Sequence, residues 1–217
     1  MKKSSCEKRS RRAAAAVVCG VFLGTLALVG CGGGGGGRIG SSQLADDADY
    51  YPLAVGNRWV YQTTTADGKV LKLTHEITAK VGRDTYMLRK IRQTPEGDSV
   101  TDEDVVRKVN GFVVVGKNPL LPITPGLGLK WDGIVKGDSQ GKVKNTITER
   151  LHLDVQGKSF FCYRVDFKGA RGGSLWIAPN VGIIKATFSG ESFREAPVTY
   201  EMIDATVYKS EDEPSER

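Results

Sequence analysis

Between residues 71 and 81 the side chains alternate without a break. Leu71, Leu73, His75, Ile77, Ala79 and Val81 fall on one face, and Lys72, Thr74, Glu76, Thr78 and Lys80 on the other. A period of two marks a half-buried β-strand, because successive side chains leave a strand on opposite faces. Just upstream, Trp59–Thr64 runs into Ala66-Asp67-Gly68, where Asp-Gly tolerates positive φ, so the two segments read as a hairpin. The same reasoning predicts strands over Thr85–Gln93, Asp104–Val109, Phe112–Gly116, Lys130–Val135, Val143–Val155, Phe160–Phe167, Ser174–Ala178, Ile183–Phe188 and Thr199–Tyr208. Turn signals such as Asn110-Gly111, Gln156-Gly157 and Pro179-Asn180-Val181-Gly182 separate them, and no long helical period intervenes. The expected fold is all-β: an antiparallel barrel, half-barrel or strongly curved sheet of about ten strands. Residues 118–128 interrupt the pattern, with Pro119, Pro122 and Pro125 among Leu120, Leu121, Ile123 and Leu127. Proline donates nothing to a ladder and is barred from a central strand, so an apolar loop is expected, plugging the sheet or sitting at its mouth.

The N-terminus follows a different pattern. Met1 to Arg12 is polar and basic, and Ala13 to Gly30 is an uncharged run of Ala, Val, Leu and Gly, as in the n- and h-regions of a secretory signal. The run ends in Leu28-Val29-Gly30-Cys31, which resembles the lipobox of bacterial lipoproteins. That resemblance implies cleavage between Gly30 and Cys31, diacylglyceryl transfer to the Cys31 thiol, and acylation of the new terminus. The residues suit this chemistry, since small side chains admit a protease and a thiolate is the nucleophile that alkylation needs. A membrane partner through the acyl chains on Cys31, and a place in the bacterial cell envelope, follow as expectations. Gly32, where inner-membrane lipoproteins carry Asp, implies the outer membrane. The alternative, a plain transmembrane anchor, fits less well because six glycines, Gly32–Gly37, follow the run where flanking charge is usual.

These assignments change the charge balance. Of the 31 Lys and Arg, six (Lys2, Lys3, Lys8, Arg9, Arg11 and Arg12) precede residue 31, against Glu7 alone of the 25 Asp and Glu, so the rest is close to neutral. No basic stripe remains for nucleic acid. The expected organisation is a signal peptide over 1–30, a Gly-rich tether over 31–49, an all-β domain over 50–209 and an acidic tail over 210–217. Of the four cysteines, Cys6 and Cys19 lie in the signal and Cys31 is the acylation site, which leaves Cys162 without a disulfide partner.

Tyr50-Tyr51-Pro52-Leu53-Ala54-Val55-Gly56-Asn57-Arg58-Trp59-Val60-Tyr61 resembles the opening Y-x-P-L-x-x-G-x-x-W-x-Y of many uncharacterised bacterial lipoproteins. Trp176-Ile177-Ala178-Pro179-Asn180-Val181-Gly182-Ile183-Ile184-Lys185 resembles their W-x-A-P-x-V-G-x-x-K element. Such families are similar to periplasmic proteins with an incomplete antiparallel barrel, including the LolA/LolB lipoprotein carriers, whose concave face holds acyl chains. The resemblance implies a β-cavity for an apolar or acyl ligand. The Pro-broken apolar loop and the three Trp of a curved-sheet domain point the same way from the residues themselves, with Trp59, Tyr61, Trp131 and Trp176 as the candidate lining. Read from spacing alone, an aromatic pair such as Trp59 and Tyr61 belongs to the core at least as readily. The alternative role is an envelope protein that docks to another protein.

Candidate chemistry is sparse. His75 sits on the apolar face of its strand and His152 between Arg150 and Asp154, so no ligand spacing for zinc exists and no cofactor or metal is expected. Glu96, Asp98, Asp102, Glu103 and Asp104 do not match an EF-hand loop and read as a solvated hairpin tip. Cys162 reads as a buried thiol, since a catalytic thiolate wants a basic, partly exposed site with a histidine partner. With no Gly-x-Ser-x-Gly elbow either, the chain is not expected to be an enzyme.

Overall fold

The alternation resolves into one antiparallel sheet. The computed structural model describes residues 47–65, 68–93, 97, 99–135, 141–169, 171–190 and 198–209; the signal, most of the tether and the tail lie outside the described residues. Twelve strands form in order: β1 (Arg58–Thr64), β2 (Val70–Gly82), β3 (Thr85–Gln93), β4 (Ser99–Val109), β5 (Phe112–Val115), β6 (Asn118–Pro122), β7 (Lys130–Val135), β8 (Gly141–Val155), β9 (Lys158–Gly169), β10 (Arg171–Ala178), β11 (Gly182–Gly190) and β12 (Val198–Thr206). They are ordered β6-β5-β4-β3-β2-β1-β12-β11-β10-β9-β8-β7. Hairpins account for most of this order, and the pairing of β1 with β12 joins the two halves. At Asn110-Gly111 (φ 52° and 78°) and Gln156-Gly157 (φ 51° and 74°) both turn residues take the positive φ of a type I′ turn. Asn, and Gly above all, reach that region at little cost.

Two expectations are corrected. Asn118–Pro122 is a strand rather than a loop, with Pro119 opposite Val114. Proline is accommodated because β6 is an edge of the sheet, where one side of the strand has no ladder to supply. The uniform face expected over residues 71–81 ends at Ile77, because a bulge falls between Ile77 and Ala79, whose partners are the adjacent Leu88 and Met87. One extra residue reverses every later side chain. Val81 is accordingly 54% exposed while Ile77 is fully buried.

The sheet curls until its edges meet. β6 and β7 are joined through side chains: Trp131 Nε1 donates to Pro119 O at 3.1 Å, and the Ile134 amide donates to Asn118 Oδ1 at 2.7 Å. No backbone ladder links them among the described residues. Gly133 permits this approach, since a Cβ there would lie 2.7 Å from Asn145 Nδ2 and 3.2 Å from Asn118 Oδ1. The result is a nearly closed barrel.

One end of the barrel is plugged by the segment that leads into β1, with Tyr50, Tyr51, Leu53 and Ala54 all buried. Asp49, the last residue of the expected tether, is already fixed: its carboxylate accepts from Lys108 Nζ at 2.5 Å, and its carbonyl accepts from the Asn180 amide at 2.6 Å. Asn57, fully buried, donates from Nδ2 to Pro52 O and Tyr208 O, and its Oδ1 accepts from the Tyr208 amide at 2.6 Å. Trp59 Nε1 donates to Val181 O at 2.6 Å and Tyr61 Oη to Ile183 O at 3.0 Å. The two aromatic-rich sequence elements therefore lock onto each other. Trp59, Ile77, Leu88, Val106, Leu121, Ile147 and Val165 belong to the same buried apolar cluster as Tyr50, Tyr51 and Leu53, nearly inaccessible to solvent. Full burial of each aliphatic member contributes about 1.5–3 kcal/mol.

Candidate functional site: an internal apolar cavity

Inward parity places a side chain from every strand around a common lumen. The cavity has a volume of about 300 Å³ and is lined from all twelve strands, from Asn118, Pro119 and Leu120 on β6 round to Ile134 on β7. Tyr51 of the plug also reaches it. Its walls are mostly apolar. Phe167, Phe188 and Tyr200 form an aromatic arc, with ring centroids 5.8 Å and 6.1 Å apart in turn. Leu73, Leu88, Val115, Val143, Leu175, Ile183 and Ala186 complete the lining. Gly173 makes room for the arc: a Cβ at that position would collide with the Thr187 carbonyl and the Phe167 ring. Leu73, His75, Phe188 and Tyr200 are half-buried, so solvent reaches the lumen.

Polar groups enter the lumen from two places. Asn118 and Asn145 stand at the seam, where Asn118 Oδ1 takes the Ile134 amide and Asn145 Nδ2 donates to Trp131 O at 3.4 Å. Further round the wall, His75, Lys90 and Asp104 stand on the consecutive strands β2, β3 and β4. His75 and Lys90 are direct cross-strand partners, and Lys90 Nζ meets Asp104 Oδ2 at 2.5 Å. The His75 ring packs edge-on against Tyr61, centroids 5.3 Å apart. Among the described residues neither of its ring nitrogens has a hydrogen-bond partner. Burial, and then the neighbouring Lys90 ammonium, push its pKa down to about 4, so the imidazole is neutral near pH 7. Burial also holds the Tyr61 phenol well above its usual 10.

The four aromatic residues expected at a cavity separate. Tyr61 lines it. Trp59 lies below, stacked on Tyr51 with centroids 5.5 Å apart. Trp131 turns to the seam, 6.1 Å from the Phe112 ring. Trp176 faces outward between Arg164 (5.6 Å) and Lys185 (5.8 Å), in a row that continues to Glu149 and Glu201. The sequence reading overlooked Lys90 and took Asp104 for part of a hairpin tip, although both stand at inward parity, Lys90 with Tyr86 and Leu88 and Asp104 with Val106. A cation and an anion at inward positions of adjacent strands were the available signal. The acidic cluster is corrected as well: Asp102, Glu103 and Asp104 lie in the body of β4, which starts at Ser99, and Glu103 pairs with Arg89 at 3.1 Å. Glu96 and Asp98 lie outside the described residues. Cys162 is fully buried, its thiol raised to about 11 by that burial, and His152 is exposed on the outer face.

Fold and site together define an all-β protein: a nearly closed, twelve-stranded antiparallel barrel with an apolar lumen. The chain matches no protein-family profile, no curated protein and no solved structure at a significant level.

Proposed function

We propose that the chain is a lipid-anchored protein of the bacterial envelope whose lumen holds an apolar or acyl-chain ligand. The observation that carries this reading is the cavity itself. A folded core ordinarily leaves no void larger than a few waters. Here twelve strands surround about 300 Å³, within the range of about 300–1,000 Å³ typical of small-ligand sites. Apolar walls with a few convergent polar groups are the usual composition of such sites. The anchor belongs to the same reading: acyl chains on Cys31 keep a carrier at the surface where acyl ligands reside, since membrane affinity grows by about 0.8 kcal/mol per buried methylene.

The test is native mass spectrometry of the full-length chain purified from cells, recorded before and after unfolding. An extra mass released on unfolding and identified as an acyl compound is expected. A clean protein mass, with no uptake of an added single-chain lipid, refutes the cavity reading. Fatty-acid labelling tests the anchor separately, since Cys31→Ala abolishes incorporation if Cys31 is the acylated residue. A second reading, docking to another envelope protein, draws on Leu127, Leu129 and Ile134, which are exposed near the β6–β7 seam.

A further inference from the structure

Resting on the ligand-binding reading above, we propose that the lumen selects single-chain amphiphiles whose head group is uncharged and forms hydrogen bonds, an alcohol or acylglycerol hydroxyl, over carboxylates and amines. The reason is the charge inventory of the wall. Among the described residues that line the cavity, Lys90 is the one cation and Asp104 the one carboxylate, and they already neutralise each other at 2.5 Å. Their side chains are 28% and 16% exposed, so any charge added beside them loses most of its hydration. A carboxylate head that approaches Lys90 also approaches Asp104. An ammonium head that approaches Asp104 meets Lys90. Either leaves one net charge in an otherwise apolar lumen, with no counter-charge on its wall.

A hydroxyl adds no charge and finds complementary partners. The ammonium of Lys90 carries three donor protons, of which the Asp104 contact uses one. The neutral His75 ring, next to Lys90 in register, provides one donor and one acceptor. A hydroxyl oxygen placed there accepts from Lys90 and donates to His75 or Asp104. The acyl chain then runs along the aromatic arc of Phe167, Phe188 and Tyr200.

Three photoreactive probes test this: a twelve-carbon alcohol, carboxylic acid and amine, each carrying the same chain diazirine. They are cross-linked to the full-length chain in lipid nanodiscs, and adducts are mapped by mass spectrometry to the cavity-lining strands. In the wild type the alcohol is expected to label these strands about tenfold more than either charged probe, the ratio that one decade of affinity produces. Asp104→Asn leaves Lys90 uncompensated and shifts labelling toward the carboxylic acid; Lys90→Met shifts it toward the amine. Asp104→Asn preserves size and hydrogen-bonding capacity, so it decides the matter even if Lys90→Met fails to fold. Equal labelling by all three probes, a charged probe favoured in the wild type, or an order unmoved in Asp104→Asn overturns the head-group selection while leaving a ligand cavity. Absence of adducts on the lining strands for every probe removes the ligand-binding reading itself.

Discussion

At the scale of single residues, the inward-facing polar side chains carry the sharpest consequences. His75 has a folded pKa near 4 against an ordinary 6.5, so the unfolded chain binds the proton more readily in between. Stability that is intact above pH 6.5 is therefore lost as pH falls toward 4, by up to about 3 kcal/mol. Urea titrations at pH 7, 5.5 and 4 check this, with His75→Phe expected to lose distinctly less over the same interval. Carboxylates act lower on the scale. Burial opposes ionisation of Asp166, yet hydrogen bonds from Ser174, Thr148 and Arg164 hold it below its ordinary 3.8. The hydrogen bond from Lys185 holds Glu201 below 4.5. Their stabilisation is present above those values and is lost below them, so Glu201 overlaps only the lower end of the histidine window and the comparison of pH 7 with pH 5.5 isolates His75. Asn57 is the other decisive residue, because three backbone groups of Pro52 and Tyr208 depend on its amide. Asn57→Ala leaves them unpaired, and a loss of about 2–4 kcal/mol in chemical unfolding is expected. The inward position of His75 was visible in its place among Leu73 and Ile77, but its neighbour Lys90 was not. The role of Asn57 was not visible either, because its partner Tyr208 is brought alongside only when β12 docks on β1.

At the scale of elements, the seam between β6 and β7 is the weakest join in the sheet. Every other pair of neighbours shares a ladder, whereas this one depends on Trp131, Asn118 and the space above Gly133. Gly133→Ala forces a methyl group against Asn145 and Asn118, at an expected cost of about 1–3 kcal/mol. Hydrogen exchange locates the effect: amides of β6 and β7 should exchange faster in this variant, while those of β1 and β12 stay protected. Uniform acceleration across the barrel would contradict a local seam. Strands were the most legible part of the sequence, because alternation is a property of the chain itself. The bulge after Ile77 and the strand at Asn118–Pro122 were not legible, since a bulge is defined by its partner strand and a proline is tolerated only once a strand is known to be an edge.

At the scale of the whole molecule, the barrel keeps open a space that denser packing would fill. Ala186 is one of the smallest residues on the lumen wall, opposite Leu175 and Tyr200 in register. Ala186→Phe should fill part of the cavity and leave a cooperative fold, read by thermal unfolding, while abolishing the co-purified ligand mass. Retention of that mass would place the ligand elsewhere. The sequence by itself determined the all-β class, the turns, the inward parity of most strands and the likeness of Leu28–Cys31 to an acylation site, because each depends on residues close along the chain. Only the tertiary structure decided that Trp59 would bind the corner at Val181, that Trp176 would face outward, that the edges would meet, and that His75, Lys90 and Asp104 would share one wall. Those outcomes depend on the curvature and register of twelve strands at once. A lumen belongs to no single strand, so no local pattern encodes it.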